Sequence, residues 1–200
     1  MNSAPTLRDR RRAETTKEII AAAMATFASK GFEAATADEI AQRAGVSRAT
    51  FFNYFPQKEL ILAEFARTRM ERVHALLDSH GGLTLDSLLR TFVSFAEENE
   101  QLTKEGRSLL PHTLLRPGCQ EVLQPLFETM QKSLTAGLRR GGELRADVDV
   151  RVFAETFFGL YIATTLQWAV QSDPPKGWHK RAMRQRLGQL IQLARKGGTA

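Results

Sequence analysis

Two short helices separated by only three residues are predicted between residues 36 and 56, in the segment TADEIAQRAGVSRATFFNYFP. Thr36 and Glu39 have the spacing of a capping box, which begins a helix. Gly45 can adopt the left-handed conformation that ends this helix, and Ser47 can cap the next one. The second helix ends before the proline, because a residue that precedes proline is pushed out of helical conformation. Helices joined so tightly must cross steeply, which predicts a helix-turn-helix.

The remainder of the chain also has helical spacing of its apolar residues, and its sequence has no alternating β-branched pattern. Breaks rich in Gly and Pro separate the expected helices. We therefore predict an all-α protein of nine helices, at about 14–29, 36–44, 48–54, 56–79, 84–100, 102–115, 120–140, 149–172 and 178–196.

The positive charge is concentrated toward the ends of the chain. The net charge is +6, and residues 173–200 alone carry seven Lys or Arg against one acidic residue. Such a balance attracts polyanions, either nucleic acid or an anionic membrane surface. For the last helix, a solvated outer face is the simplest explanation, and docking against an acidic neighbouring surface is the alternative.

Two observations bear on the compartment. A single cysteine, Cys119, excludes a disulfide within the chain and fits a reducing cytosol. The longest nearly apolar run, residues 157–170, falls short of the ~18 residues that a membrane span needs. We expect a cytoplasmic protein with no membrane partner.

The second short helix carries residues suited to a DNA groove. Arg48 and Thr50 stand at its start, where Arg can pair with guanine and the Thr methyl can pack on a thymine methyl. Phe51 and Phe55 are spaced by four residues and are expected in the core. Tyr54 can pack its ring and direct its hydroxyl outward.

The segment TADEIAQRAGVSRATFFNYFPQKEL, residues 36–60, resembles the signature of the TetR family of bacterial transcription regulators. The segment GGELRADVDV, residues 141–150, the helix count and the chain length resemble that family too. The resemblance implies a homodimer with a DNA-binding helix-turn-helix domain at residues 1–56, which includes a basic arm at 1–13. It also implies a ligand-binding and dimerisation domain at residues 57–200, with the dimer formed through the last two helices.

Carried over residue by residue, the resemblance implies phosphate contacts from Thr36, Ser47, Tyr54 and Lys58 and base contacts from Arg48, Thr50 and Asn53. Plain helix capping at Thr36 and Ser47, and a solvated charge at Lys58, are the alternatives. Phe52 stands where the family usually has Tyr, so a phosphate hydrogen bond is missing. Asn53 stands where His is common, which shifts that base contact toward adenine.

Before the first helix, four arginines form a basic arm at Arg8, Arg10, Arg11 and Arg12. Such an arm lies along a minor groove or adds phosphate contacts, and a plain disordered tail is the alternative.

No arrangement of residues typical of an enzyme occurs in the sequence. It has no Gly-rich phosphate loop, and no metal-ligand spacing relates its four histidines, His74, His80, His112 and His179. We expect no catalytic residue, cofactor or metal. The ligand cavity is expected among Phe92, Phe95, His112, Arg116, Met130, Phe157, Tyr161 and Trp168. Each of these is individually more often a core residue than a ligand contact.

These features predict a ligand-responsive DNA-binding regulator, a repressor that a small-molecule effector releases from its double-stranded operator DNA. A nonspecific or architectural DNA-binding protein without an inducer is the alternative, and a helical ligand-binding or enzymatic domain that has lost DNA binding is a third. A specific regulator should retain ~10³-fold or better preference for its operator over random DNA.

The aromatic residue at position 52 gives the first test. If the alignment with the family is right, Phe52→Tyr adds a hydroxyl that can bind a phosphate and strengthens DNA binding modestly, by about 1 kcal/mol. Titration of a labelled operator duplex with both proteins measures the change. Unchanged or weaker binding would instead assign Phe52 to the core.

Overall fold

The structure of the protein is a computed structural model that describes residues 6–78 and 82–195. Within these two ranges the chain forms nine α-helices and no strand, as the sequence predicts. The helices are α1 (Leu7–Lys30), α2 (Ala37–Arg43), α3 (Arg48–Tyr54), α4 (Glu59–Asp78), α5 (Leu85–Asn99), α6 (Lys104–Leu115), α7 (Pro117–Gly141), α8 (Val150–Ala169) and α9 (Trp178–Ala194). None of them, over the residues described, has the length and apolar character needed to cross a membrane.

Helix α1 begins seven residues earlier than the sequence pattern predicts, so the expected start at Glu14 is wrong. Thr6 caps the helix, because its hydroxyl accepts a hydrogen bond from the Asp9 amide at 3.2 Å. The Asp9 carboxylate accepts one from the Thr6 amide at 3.0 Å, and its hydrogen bonds to Thr6 lower its pKa. This is a capping box with Asp in the place usually held by Glu or Gln. The predicted free arm is therefore helical from residue 7 onward, and residues 1–5 lie outside the described part.

Two apolar cores divide the molecule. The first is built mainly by α1, α2 and α3 and includes Phe51 and Phe55, as predicted. The second is built by α5, α7, α8 and α9. Helix α4 contributes to both cores, with Ile61 at its start in the first and Val73 near its end in the second. A displacement of α4 would therefore change the packing of both cores.

The apolar stripes of α8 and α9 pack into the second core of the same chain. Phe153, Phe157, Met183 and Leu187 are all buried there. These stripes therefore belong to the protein's own core, and the dimer through the last two helices that the family resemblance implies stays a prediction. A partner would have to pack on the opposite faces of these helices.

Part of the basic α9 docks against acidic residues of α5. Lys180 on α9 pairs with Glu97, and Arg195, directly after α9, pairs with Asp86, each at 2.6 Å. For these two cations, the basic end of the chain therefore docks against an acidic surface instead of facing solvent alone. The same chain supplies that acidic surface.

A buried histidine lies where α8 and α9 meet. The His179 ring is fully buried and stacks on Trp168, with 4.6 Å between the ring centroids. Its Nε2 lies 3.2 Å from the Thr165 hydroxyl. Burial lowers the pKa of His179 to about 4, so the ring is neutral at neutral pH.

This histidine should make the protein sensitive to acid. Its pKa is about 4 when folded and about 6.5 when unfolded. The free energy of unfolding that depends on this neutral ring is therefore fully present above pH 6.5. It is lost as the pH falls from 6.5 toward 4, because the unfolded chain takes up the proton first. We expect a loss of about 2 kcal/mol between pH 7 and pH 5.

Urea unfolding at constant protein concentration measures this loss. The His179→Gln protein should be less stable than the wild type at pH 7. Between pH 7 and pH 5, its free energy of unfolding should fall less than that of the wild type. An equal loss in both proteins would contradict the assignment.

Candidate nucleic-acid interface and apolar cavity

The turn between α2 and α3 has the geometry that the sequence predicts. Gly45 has a φ of 69°, a left-handed conformation that favours glycine. The Val46 amide donates to the Ala41 carbonyl at 3.0 Å, which closes the end of α2. The Ser47 hydroxyl accepts from the Thr50 amide at 3.0 Å and so caps α3. The turn fixes how α3 leaves α2.

Helix α3 has one buried side and one exposed side. Phe51 is fully buried, and Phe55, directly after the helix, is also buried. Arg48, Phe52 and Asn53 are exposed. A helix held by its aromatic residues and exposed along its other side can enter a major groove.

Arg48 has an ion partner that the sequence pattern does not reveal. Its guanidinium lies 2.6 Å from the carboxylate of Asp38 on α2, and both side chains are largely exposed. It also lies 5.5 Å from the centroid of the Phe52 ring. If Arg48 releases Asp38 in order to reach a base, the cost is about 1 kcal/mol or less for such an exposed pair.

Phe52 lies at the surface, with 38 % of its area exposed. Its ring meets Phe51 edge to face, with 5.4 Å between centroids. The ring is therefore supported at its base, and a hydroxyl added by substitution with Tyr would extend from an exposed position.

The capping box of α2 is present, as predicted. The Thr36 hydroxyl accepts from the Glu39 amide at 3.3 Å, and the Glu39 carboxylate accepts from the Thr36 amide at 3.2 Å. Lys30 also binds this carboxylate, and its hydrogen bond, followed by that of the Thr36 backbone, lowers the pKa of Glu39. A phosphate contact from Thr36 remains a prediction.

Lys58 binds the loop between α1 and α2. Its ammonium donates to the carbonyls of Phe32, Glu33 and Ala35 at 2.8, 3.0 and 3.2 Å. An ammonium has three donors, so a phosphate would have to compete with these carbonyls. Lys58 therefore has a structural role, and its phosphate contact stays a prediction. Its hydrogen bonds join residues 23 to 26 positions apart, so no local sequence pattern indicates them.

An apolar cavity of about 80 Å³ lies between α4, α5, α6, α7 and α8. Its walls include four of the eight residues expected at a ligand cavity, Phe92, Phe95, Met130 and Tyr161. They also include Leu110 and Thr113 of α6, which sequence reasoning missed. Among the described side chains that line the cavity, none is Asp, Glu, Lys, Arg or His.

The other four expected residues lie elsewhere. Phe157 is fully buried in the core beside Phe92, and Trp168 is buried against His179. His112 and Arg116 lie near the turn between α6 and α7, next to the loop that joins α1 and α2. Helical spacing marks these residues as inward-facing, but it does not show which neighbouring side chains each one contacts.

Aromatic and charged groups converge on Phe32 in that loop. His112 stacks on its ring at 5.5 Å, and the Arg116 guanidinium lies 4.5 Å from the ring centroid. Arg116 also forms an ion pair with Glu33, and its guanidinium lies 3.6 Å from the Glu59 carboxylate. We name this group of Phe32, Glu33, Lys58, His112 and Arg116 the junction.

Comparison with known proteins gives consistent matches. The sequence profile described as "Bacterial regulatory proteins, tetR family" matches residues 19–65. The chain is 28 % identical over 157 residues to the uncharacterized HTH-type transcriptional regulator YdgC of Bacillus subtilis, covering 74 % of this chain and 77 % of that protein.

Solved structures are similar over nearly the whole chain. The chain is 29 % identical to FadR of Thermus thermophilus, a TetR-family transcriptional repressor in complex with lauroyl-CoA. That match has a TM-score of 0.66 and covers 92 % of this chain and 98 % of the other. SmeT, the repressor of a Stenotrophomonas maltophilia multidrug efflux pump, has the same fold, with a TM-score of 0.73 at 20 % identity over 92 % and 91 % of the two chains.

The role of Lys58 can be tested through stability. Lys58→Met leaves three loop carbonyls without their donor and should lower the free energy of unfolding by about 2 kcal/mol. Lys30→Met is the matched control, because it removes the same charge from an exposed ion pair and should cost about 1 kcal/mol or less. Urea unfolding of the three proteins gives both values. A Lys58→Met protein as stable as the wild type would leave phosphate binding as the role of this residue.

Proposed function

Because the chain belongs to the TetR family of bacterial transcriptional regulators, we propose that it is a cytoplasmic repressor that binds operator DNA as a homodimer. An apolar small molecule in the cavity releases it from that DNA. Residues 1–56 supply the DNA-binding domain, and residues 57–200 supply ligand binding and dimerisation.

The observation that carries the proposal is the division of α3 into two sides. Phe51 and Phe55 bind the helix to its domain, and Arg48 and Asn53 are left exposed. An exposed Arg and Asn on a recognition helix can read guanine and adenine in the major groove. These residues explain sequence-specific binding better than a uniform basic surface would.

Dimerisation is supported by the outer face of α8. Six exposed residues without charge follow one another there at intervals of three or four, in a single stripe: Val152, Thr156, Gly159, Ala163, Gln167 and Val170. On α9, Leu193 is exposed as well, with 72 % of its area accessible. A second copy packing on these faces would bury them, and binding to two half-sites requires recognition helices about 34 Å apart.

The cavity supports binding of an apolar ligand. At about 80 Å³ it is smaller than the ~300 Å³ or more of a usual ligand pocket, so a ligand must displace its walls. The lauroyl-CoA bound to the Thermus relative contains an acyl chain, which suits apolar and aromatic walls. We propose an acyl chain or a similar apolar group as the ligand.

The junction connects the cavity to the DNA-binding helices. Helix α6 carries Leu110 and Thr113 in the cavity wall and His112 against Phe32, and Arg116 follows the helix directly. A ligand that displaces α6 therefore also displaces the loop before α2. It lowers DNA affinity only to the extent that it binds the displaced state more tightly.

Selection of bound duplexes from random DNA tests the function as a whole. We expect enrichment of a sequence with two half-sites and at least ~10³-fold preference for it at physiological salt. Binding to all sequences with equal affinity would favour the architectural alternative. Sedimentation of the protein with and without the selected duplex gives its oligomeric state.

The junction yields a test of the coupling. Arg116→Met removes the guanidinium from Phe32 and Glu33, so a ligand should release DNA less effectively, by about 1 kcal/mol of coupling. The measurement is the ratio of operator Kd values with and without saturating lauroyl-CoA. Lys180→Met is the control, because it breaks an ion pair with Glu97, which lies away from the junction. An undiminished ratio in Arg116→Met would remove the junction from the mechanism.

A further inference from the structure

The first turns of α1 and the end of α3 form a concave surface. It is lined by Leu7, Arg8, Arg11 and Arg12 from α1 and by Asn53 and Tyr54 from α3. Three of its six lining residues are arginines, and none is acidic. We name this surface the arginine cleft.

The cations of the cleft are available for an external anion. Within residues 6–78 and 82–195, Arg8 and Arg11 form no ion pair and both are exposed. Arg48 on α3, in contrast, is paired with Asp38. Neighbouring cations without acidic partners in a concave surface create a strong positive potential.

The cleft is held in shape by the elements that form it. The Thr6 capping box makes the arginine-bearing segment helical instead of a free arm. The Arg12 guanidinium lies 5.5 Å from the centroid of the Tyr54 ring, which joins the two helices at the base of the cleft. Preorganised cations lose less conformational entropy on binding than cations of a disordered tail.

The cleft is continuous with the exposed side of the recognition helix. Asn53, on that exposed side, also lines the cleft, directly after Phe52 in sequence. When α3 lies in a major groove, the cleft therefore faces the sugar–phosphate backbone that borders the groove. Arginine suits this position, because its guanidinium can bind two phosphate oxygens at once.

We propose that the arginine cleft binds the phosphodiester backbone of DNA at the edge of each half-site. The inference rests on the proposed function and assigns to α1 a part of the DNA contact that does not depend on sequence. Phosphate contacts add affinity and salt dependence without discriminating between bases.

Two double variants of equal charge test the proposal. Arg8→Ala/Arg11→Ala removes two cations from the cleft, and Arg10→Ala/Lys17→Ala removes two exposed cations from other positions of α1. Positions 10 and 17 lie about half a helical turn away from position 8. Alanine preserves the helix in both proteins, and circular dichroism checks that it does.

The measurement is the Kd for a duplex selected by the wild-type protein and for a random duplex, across a range of salt concentrations. The cleft variant should lose about tenfold or more in affinity for both duplexes. The slope of its log affinity against log salt concentration should become shallower by ~0.9 for each of two lost phosphate contacts. The control variant should lose less than about threefold and keep the wild-type slope. In an ethylation interference experiment, modification of certain phosphates should weaken binding of the wild-type and control proteins. The same modifications should not affect the cleft variant.

Equal losses in the two variants, or an unchanged slope in the cleft variant, would overturn the proposal. These outcomes differ from failure of the proposed function itself. If the wild-type protein enriches no duplex, the function is wrong, whereas an active wild type with an equally active cleft variant contradicts only the cleft.

Discussion

The loop between α1 and α2 is held from two directions, and both halves of the molecule depend on that contact. Lys58, just before α4, binds three of the loop's carbonyls, and Arg116, at the start of α7, covers the Phe32 ring and pairs with Glu33. Phe32 itself is buried in the first core. One loop next to α2 is therefore in contact both with the residue that precedes α4 and with the turn after α6.

This coupling also explains why a small cavity can matter. Close-packed walls have little room to absorb an added group, so a ligand larger than the 80 Å³ space would have to displace the helices that line it. Helix α6 lines the cavity with Thr113 and contacts the loop with His112, the neighbouring residue in sequence.

Much of the helix-turn-helix could be predicted because its signals are local. The bounds of α3, the capping box of α2, the Ser47 cap, Gly45 and the burial of Phe51 and Phe55 follow from spacings of four residues or fewer. The start of α1 was missed because Asp9 replaces the usual Glu or Gln of a capping box. The Arg48–Asp38 pair was missed because it joins two helices across a turn, where no periodicity relates the partners.

The amino-acid sequence by itself determined that the chain is helical, that α2 and α3 cross at a tight turn, and that α3 has an aromatic side and a polar side. These properties depend on neighbours within one or two helical turns. Only the tertiary structure decided which core each apolar stripe enters, how Lys58 and Arg116 meet over Phe32, and that the arginines of α1 lie beside Tyr54. The hydrogen bonds from Lys58 and Arg116 to the loop between α1 and α2 join residues 23 to 83 positions apart, and periodicity carries no information about partners at that distance.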